Sequence, residues 1–491
     1  MRLSPRIQPD HYLLAVVLGL ICLSFVNMLY CTIAYEFGFG PTTFLAGPEE
    51  RFADILKLSL SFRSVTGGVD QTERFKSWDP VYKHFYLHPN YGGVENLPKG
   101  GVENLPKGQL THLHHPPFST LIFLLTGIFI FQTGSPPLTL FLFFCIYLLE
   151  VCSIIWIGIP RAERKPALIL TIWFFCSVSY PALVTFGRAN YVNAGLTTLP
   201  IVAFLIAVFA WKQATLPALF ALAIAVNIHP NAIIFLFALP LVLGIRKAIK
   251  PSIQFLAIAG VIFAVSYFAA HKLYPDYTIA VFLQGIAVYK KVYISEGLGI
   301  LMGSSLYGLI RALIQGLQVR VPFLTGMRIF YVLAMSMAIF VSTAFWKSLV
   351  QNRTDDEYAG PQDRTAKDHI ELGHEERRWP LPLAPFFLVS FYCIFSPIFG
   401  DYHLLVFLAP LILVYFELEH IKDRWQFLAL VAFTSLFLLS PKNYFFQETS
   451  IQIILNPAIL CGAVLWLAIE LLNEKRQPVS APATFQAADG R

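Results

Sequence analysis

Along most of the chain, apolar runs alternate with short polar turns, the pattern of helices that cross a bilayer and need about 20 apolar residues each. The first run, residues 12–33, follows Arg2 and Arg6, and the cytoplasmic bias of Lys and Arg sets the N-terminus inside. It is too long for a signal-peptide core and lacks a small-residue cleavage site, so it reads as a retained anchor. Residues 34–115 then form a long extracytoplasmic loop, whose eight Lys and Arg are no obstacle because long loops translocate largely regardless of charge. Residues 117–131 are apolar but short, and are expected as a juxtamembrane helix on the outer face. Spans at 137–159 and 166–186 flank a basic inside turn at Arg161, Arg164 and Lys165, and a fourth at 191–210 ends inside at Lys212.

Two shorter runs, 216–226 and 231–243, are joined by Asn227-Ile228-His229-Pro230 and have basic residues at both outer ends. They predict a hairpin whose tip lies at the outer side or within the membrane. Broken backbone at that depth requires burial in protein or a wet cavity. A span at 253–270 leads to a second extracytoplasmic region, 271–327, with Tyr289, Lys290, Lys291 and Tyr293 and an apolar helix bearing Ser304, Ser305 and Arg311. After a span at 329–345, residues 351–379 hold five Lys or Arg and eight Asp or Glu, and are expected as a flexible cytoplasmic connection. Spans at 382–397, 403–416, 427–439 and 451–471 complete an all-α polytopic membrane protein of about twelve transmembrane helices. Both termini are then cytoplasmic. The divisions expected are 1–33, 34–136, 137–270, 271–327, 328–472 and a tail at 473–491.

Composition narrows the class. Hydrophobic residues make up 56% of the 491, charged residues only 13%, and the mean hydropathy is +0.61. A soluble globule carries roughly a quarter charged residues, which excludes a string of soluble domains. The net charge of +6 reads as membrane topology and not as a nucleic-acid footprint, so no nucleic-acid partner is expected. All seven cysteines fall in apolar runs, which leaves no disulfide framework and no CxxC metal pattern. Residues 92–99 (GGVENLPK) repeat at once as 100–107, a loop extension of little cost and no expected catalytic role.

A few residues can do chemistry. Asp54, in Arg51-Phe52-Ala53-Asp54-Ile55, is a carboxylate near the outer face and a candidate general base, its alternative being a solvated loop carboxylate like Glu49 or Asp70. His112, His114 and His115 before Pro116-Pro117 suit either a metal site or a proline-stiffened lead-in to the next helix. Arg188 and Asn190 sit at a membrane-surface turn where a guanidinium can grip phosphate or merely snorkel. His229 before Pro230 is an ionisable group at a helix break, either functional or satisfying freed carbonyls. His403, after Asp401 and Tyr402 at the outer end of its span, can orient a sugar hydroxyl or meet a lipid phosphate, or belong to an interfacial polar cluster.

Taken in order, these residues resemble the polyprenol-phosphate-dependent mannosyltransferases of the GT-C fold, nearest to glycosyltransferase family 87. Asp54 resembles the family's first-loop Asp, and His115-Pro116-Pro117-Phe118 its Tyr-Pro-Pro-like juxtamembrane stretch. Gly187-Arg188-Ala189-Asn190 resembles a Gly-Gln-x-Asn turn with Arg for Gln, and Ala225 to Pro230 an Ala-x-Lys-x-x-Pro stretch with Asn227 for Lys. Ser305-Leu306, near Arg311, resembles a Ser-Leu pair, and Ser396-Pro397 through His403 resembles a Ser-Pro-x-x-x-x-His motif offset by about one residue. The resemblance runs from Asp54 to about Leu471 and rests on order and topology, since each motif is short.

The resemblance implies a GT-C-like bundle with juxtamembrane helices in its long first loop, working in the bacterial inner (plasma) membrane with an extracytoplasmic active site. It implies transfer of a hexose or pentose, mannose-like, from a polyprenyl-phosphate sugar to a lipid or glycan acceptor, with inversion and with Asp54 as base. Arg188, Asn190, His229, Arg311 and His403 would bind the donor phosphate or substrate, and His115 and Tyr402 are further substrate-binding candidates. No cofactor is expected, and the His112, His114 and His115 cluster keeps a divalent metal such as zinc an open alternative. The main rival reading is a transporter or flippase of lipid-linked saccharides, which predicts repeats, broken helices in matching halves and mid-membrane charges. An O-antigen-type polymerase or ligase usually carries its large outer loop late in the chain, and a structural membrane protein is a third alternative.

Overall fold

A computed structural model describes residues 115–133, 136–179, 181–182, 185, 191–275, 277–289, 305–316, 323–358, 383–396, 400–416, 434 and 451–473. Asp54, His112, His114, Arg188 and Asn190 lie outside the described residues, as does the run at 12–33 and nearly all of that at 427–439. The described residues are 91% helical and include no strand.

The helices, in chain order, are α1 (Pro117–Thr133), α2 (Pro136–Ser153), α3 (Pro166–Val178), α4 (Leu196–Trp211), α5 (Leu216–Ile228), α6 (Ala238–Leu243), α7 (Ile245–Leu273), α8 (Ile279–Tyr289), α9 (Leu306–Gly316), α10 (Phe323–Tyr358), α11 (Leu383–Phe395), α12 (Leu408–Phe416) and α13 (Ile451–Asn473). Two π turns adjoin them, Ile154–Gly158 after α2 and Tyr191–Gly195 before α4. Among the described residues, three stretches are long and apolar enough to cross a membrane: Phe141–Gly158, Ile245–Leu273 and Thr325–Ala344.

Helix starts follow the local chemistry. Pro166 opens α3, Thr215 caps α5 by accepting from the Ala218 amide, and Ser305 caps α9 by accepting from the Gly308 amide at 3.0 Å. The α10 helix runs through Gln351 to Tyr358, into the segment expected as a flexible connection. Residues 346–358 contain no Gly or Pro, and the first breakers are Gly360 and Pro361, so nothing local stops the helix earlier.

The α4 helix is the centre of the bundle. Residues Thr197 to Ala210 are all buried, as expected of a helix that is apolar all round. It packs against α2, α5, α6, α12 and the first π turn. Trp211 closes its end, donating from Nε1 to the Gly158 carbonyl at 2.6 Å and meeting the Phe416 ring edge to face at 5.2 Å. On the far side of α5, α7 packs against both α5 and α1. A second group, α9, α10 and α13, packs together and joins the first through α11.

Candidate functional site

Two helix interruptions make the site. The α5 helix stops at Ile228 because Pro230 pushes the residue before it out of the helical region, and His229 has φ −126° and ψ 94°. The His229 amide still donates to the Ala225 carbonyl at 2.8 Å, and its own carbonyl accepts from Ala232 at 2.9 Å. The chain continues as a 3-10 helix, Pro230–Phe237. The second interruption follows α11, where Gly400 is extended and a 3-10 helix, Asp401–Phe407, leads into α12. Runs of 3-10 helix this long are uncommon, and inside helical stretches they often mark functional hinges.

The interruptions touch. The rings of His229 and His403 meet edge to face with centroids 4.6 Å apart, and Tyr392 on α11 closes on His403 at 6.2 Å. Asn231 donates from Nδ2 to Ser396 Oγ at 3.3 Å, tying the start of one 3-10 helix to the end of α11. His403 is 2% exposed, while His229 is half-buried and Asn231 exposed. His229 and Asn231 therefore form the accessible side of the cluster, with His403 behind them.

Its depth can be read from α7, used as a ruler at about 1.5 Å per residue. Asn227, two residues before His229, donates from Nδ2 to the Ala223 carbonyl at 2.9 Å and across to the Ala259 carbonyl of α7 at 3.1 Å. Ala259 falls near the middle of the apolar stretch 251–270, so the His pair lies roughly 10–15 Å below the His271 end of α7. Asn227 acts here as a clamp between α5 and α7, its Nδ2 engaged with carbonyls of both helices.

Of the other sequence-predicted residues that are described, His115 and Arg311 sit on other elements. His115 sits just before α1, where its ring meets Phe123 at 5.2 Å and its carbonyl accepts from Thr120 Oγ1 at 3.0 Å and from the Tyr277 hydroxyl at 3.2 Å. His271 Nδ1 lies 3.0 Å from the Tyr277 carbonyl, and Tyr267 stacks on the His271 ring at 6.1 Å. This cluster ties the end of the long loop to the end of α7. Burial pushes the Tyr277 hydroxyl up from 10.0 to about 12, against a smaller opposing effect of its bond to Thr120. Arg311 is on α9, one turn after Tyr307, and α9 packs on α11. Tyr402 is placed only by its backbone, one residue before His403 in the 3-10 helix.

Sequence reasoning missed Glu150. It lies in α2 with 7% exposure, and neither carboxyl oxygen has a hydrogen-bond partner among the described residues. The signal was available, since an acidic residue inside an apolar run is a functional hypothesis by default.

A pair of imidazoles beside a carboxamide and a hydroxyl, sunk among apolar helices, can donate hydrogen bonds to an anion or share a proton with a hydroxyl. Among the described residues no group of three or more His, Cys, Asp or Glu is gathered. Comparison with protein-family models, curated proteins and solved structures finds no match.

Proposed function

We propose that this chain is an integral membrane glycosyltransferase of the GT-C type, with about twelve transmembrane helices and its active site on the extracytoplasmic side of the bacterial inner membrane. It moves a mannose-like hexose or a pentose from a polyprenyl-phosphate sugar to a lipid or glycan acceptor. The observation that carries this reading is the meeting of His229 and His403 at 4.6 Å. Each belongs to a motif quoted for the resemblance, Ala225 to Pro230 and Ser396 to His403, and the two motifs are far apart in the chain. A polar site sunk below the end of α7 also suits a donor that arrives within the lipid.

In this mechanism the donor phosphate rests against donors from His229, backed by His403. Asp54 takes the proton of an acceptor hydroxyl, and the freed oxygen attacks the anomeric carbon from the side opposite the phosphate. The bond from that carbon to the phosphate oxygen breaks, configuration inverts, and polyprenyl phosphate leaves with its charge met by the same donors.

The transporter or flippase reading has support of its own. Two 3-10 interruptions, Pro230–Phe237 and Asp401–Phe407, lie against one another through a His pair, and paired broken helices are what transporters place at their substrate sites. The deciding experiment measures sugar transfer in membranes from cells expressing wild type or Asp54→Asn, supplied with radiolabelled polyprenyl-phosphate sugars and native lipid extract. Labelled product from wild type and none from an equally abundant Asp54→Asn supports the transferase and its base. Product from both keeps the enzyme and moves the base, and no product from any donor with acceptor present favours transport.

A further inference from the structure

Three basic segments of the chain converge on one end of the bundle. Arg161 and Lys165 lie between α2 and α3, Lys212 follows α4, and Arg246, Lys247 and Lys250 open α7, all six exposed. The bond from Trp211 to the Gly158 carbonyl joins the first two segments. The third arrives because the chain doubles back at His229. Asn231 bonds Ser396 and Phe235 meets Tyr392 at 5.1 Å, so the 3-10 helix Pro230–Phe237 runs back along α11. Phe386 meets Phe407, and Phe416 at the end of α12 meets Trp211, so that direction leads to the Trp211 end. There α6 gives way to α7 at Gly244, whose φ of 78° makes the turn. The Asn227–Ala259 bond agrees: Lys247 precedes Ala259 by as many residues as Thr215 precedes Asn227, which sets Lys247 level with the start of α5.

Two features put these cations at the depth of lipid headgroups. Between Lys250 and His271, α7 carries no charged residue over about 30 Å, the thickness of a bilayer's hydrocarbon core. Trp156, whose carbonyl accepts from Arg164 at 3.2 Å, is exposed, and Trp is enriched at membrane–water interfaces. An apolar stripe continues from the cations into that core: Ile245, Ile249, Ile253 and Leu256 share one face of α7, and all are exposed. The surface is thus basic at one end and apolar below, which complements an amphiphile with an acidic head.

The chain offers these cations little of its own. Glu163 is the one acidic residue in 161–165, 211–215 and 244–250, and Arg246, Lys247 and Lys250 make no ion pair among the described residues. Cations at the start of a helix oppose its dipole, and the first turn of α7 has no acidic residue to offset them. Orienting a chain in the membrane asks only that Lys and Arg lie in inner loops, not that they converge or open a helix. We infer that this end of the bundle binds anionic phospholipids of the bilayer, with headgroup phosphates on Arg246, Lys247 and Lys250 and acyl chains along the stripe from Ile245 to Leu256. The inference rests on reading the chain as a membrane protein, and it stands whether the chain transfers or transports sugar.

The test is thermal unfolding of the full chain in neutral detergent at low salt, titrated with phosphatidylglycerol, phosphatidylcholine or inorganic phosphate. Phosphatidylglycerol is expected to raise the midpoint by a few degrees in a saturable manner, and the other two to leave it unchanged. Lys250→Gln should need about fivefold more phosphatidylglycerol for half the rise, the effect of one basic residue at an anionic surface, and Lys250→Arg should match wild type. The triple variant Arg246→Gln, Lys247→Gln, Lys250→Gln should lose the rise, while Lys272→Gln at the far end of α7 keeps it. If the triple variant does not fold, the two Lys250 variants carry the comparison. An equal rise with phosphatidylcholine or inorganic phosphate, or a response that Lys250→Gln and Lys272→Gln leave alike, overturns the proposal. No rise with phosphatidylglycerol also overturns it, and a midpoint that then falls as salt is added without lipid means that acidic groups of the chain itself cover these cations.

Discussion

His229 presents its ring to His403 edge to face at 4.6 Å, and the contact joins two helix interruptions that no local sequence relation connects. Of the described side chains in this cluster, His229 and Asn231 are on the accessible side, with His403 almost wholly enclosed. On the transferase reading proposed above, this arrangement gives His229 the contact with the substrate and His403 the support of the His229 ring.

That division predicts different kinetic signatures. His229→Gln should lower kcat for sugar transfer by about 10²-fold, as expected for loss of one donor to a developing charge. His403→Phe keeps the ring packing and removes the nitrogen atoms. It should lower kcat less than His229→Gln, measured as initial rates with protein amount normalised.

Asn231 and Ser396 clamp the same two interruptions at 3.3 Å. Asn231→Ala and Ser396→Ala should each destabilise by about 0.5–1.5 kcal/mol, and the double variant by less than their sum. Equilibrium unfolding of the four proteins gives the coupling, and strict additivity would mean that the bond contributes nothing.

Tyr277 gives a prediction for alkaline pH. Its hydroxyl is raised from 10.0 to about 12, chiefly by burial, so the folded state holds the proton after the unfolded state has released it. The stability it contributes is complete below pH 10 and is lost as pH rises toward about 12. Tyr277→Phe should be less stable at neutral pH, through loss of the bond to the His115 carbonyl, yet show a shallower decline above pH 10 in unfolding measured across that window.

Much of the local structure was legible. Pro230 announced the end of α5, and the helices Leu216–Ile228 and Ala238–Leu243 fall within or beside the two runs drawn from the apolar pattern. The apolar helix expected around Ser304, Ser305 and Arg311 is α9, which begins at Leu306 with Ser305 as its cap. The end of α10 was misread because a dense charge run suggests disorder, whereas residues 351–358 lack any helix breaker. Glu150 was passed over because its neighbours are so apolar that the run reads as a plain span. Its importance appears only when Gly195, from another helix, closes on the carboxyl.

The sequence by itself determined where helices begin and break, because capping, proline sterics and apolar runs act over a few neighbouring residues. It also pointed to apolar helices long enough to cross a membrane, because hydrophobicity and the scarcity of charge need no fold to be read. Only the tertiary structure decided that His229 meets His403, that Asn227 clamps α5 to α7, and that Glu150 is buried against Gly195. Those relations depend on which helices pack together and at what height, and apolar faces this uniform leave partner and register to the packing of the whole bundle.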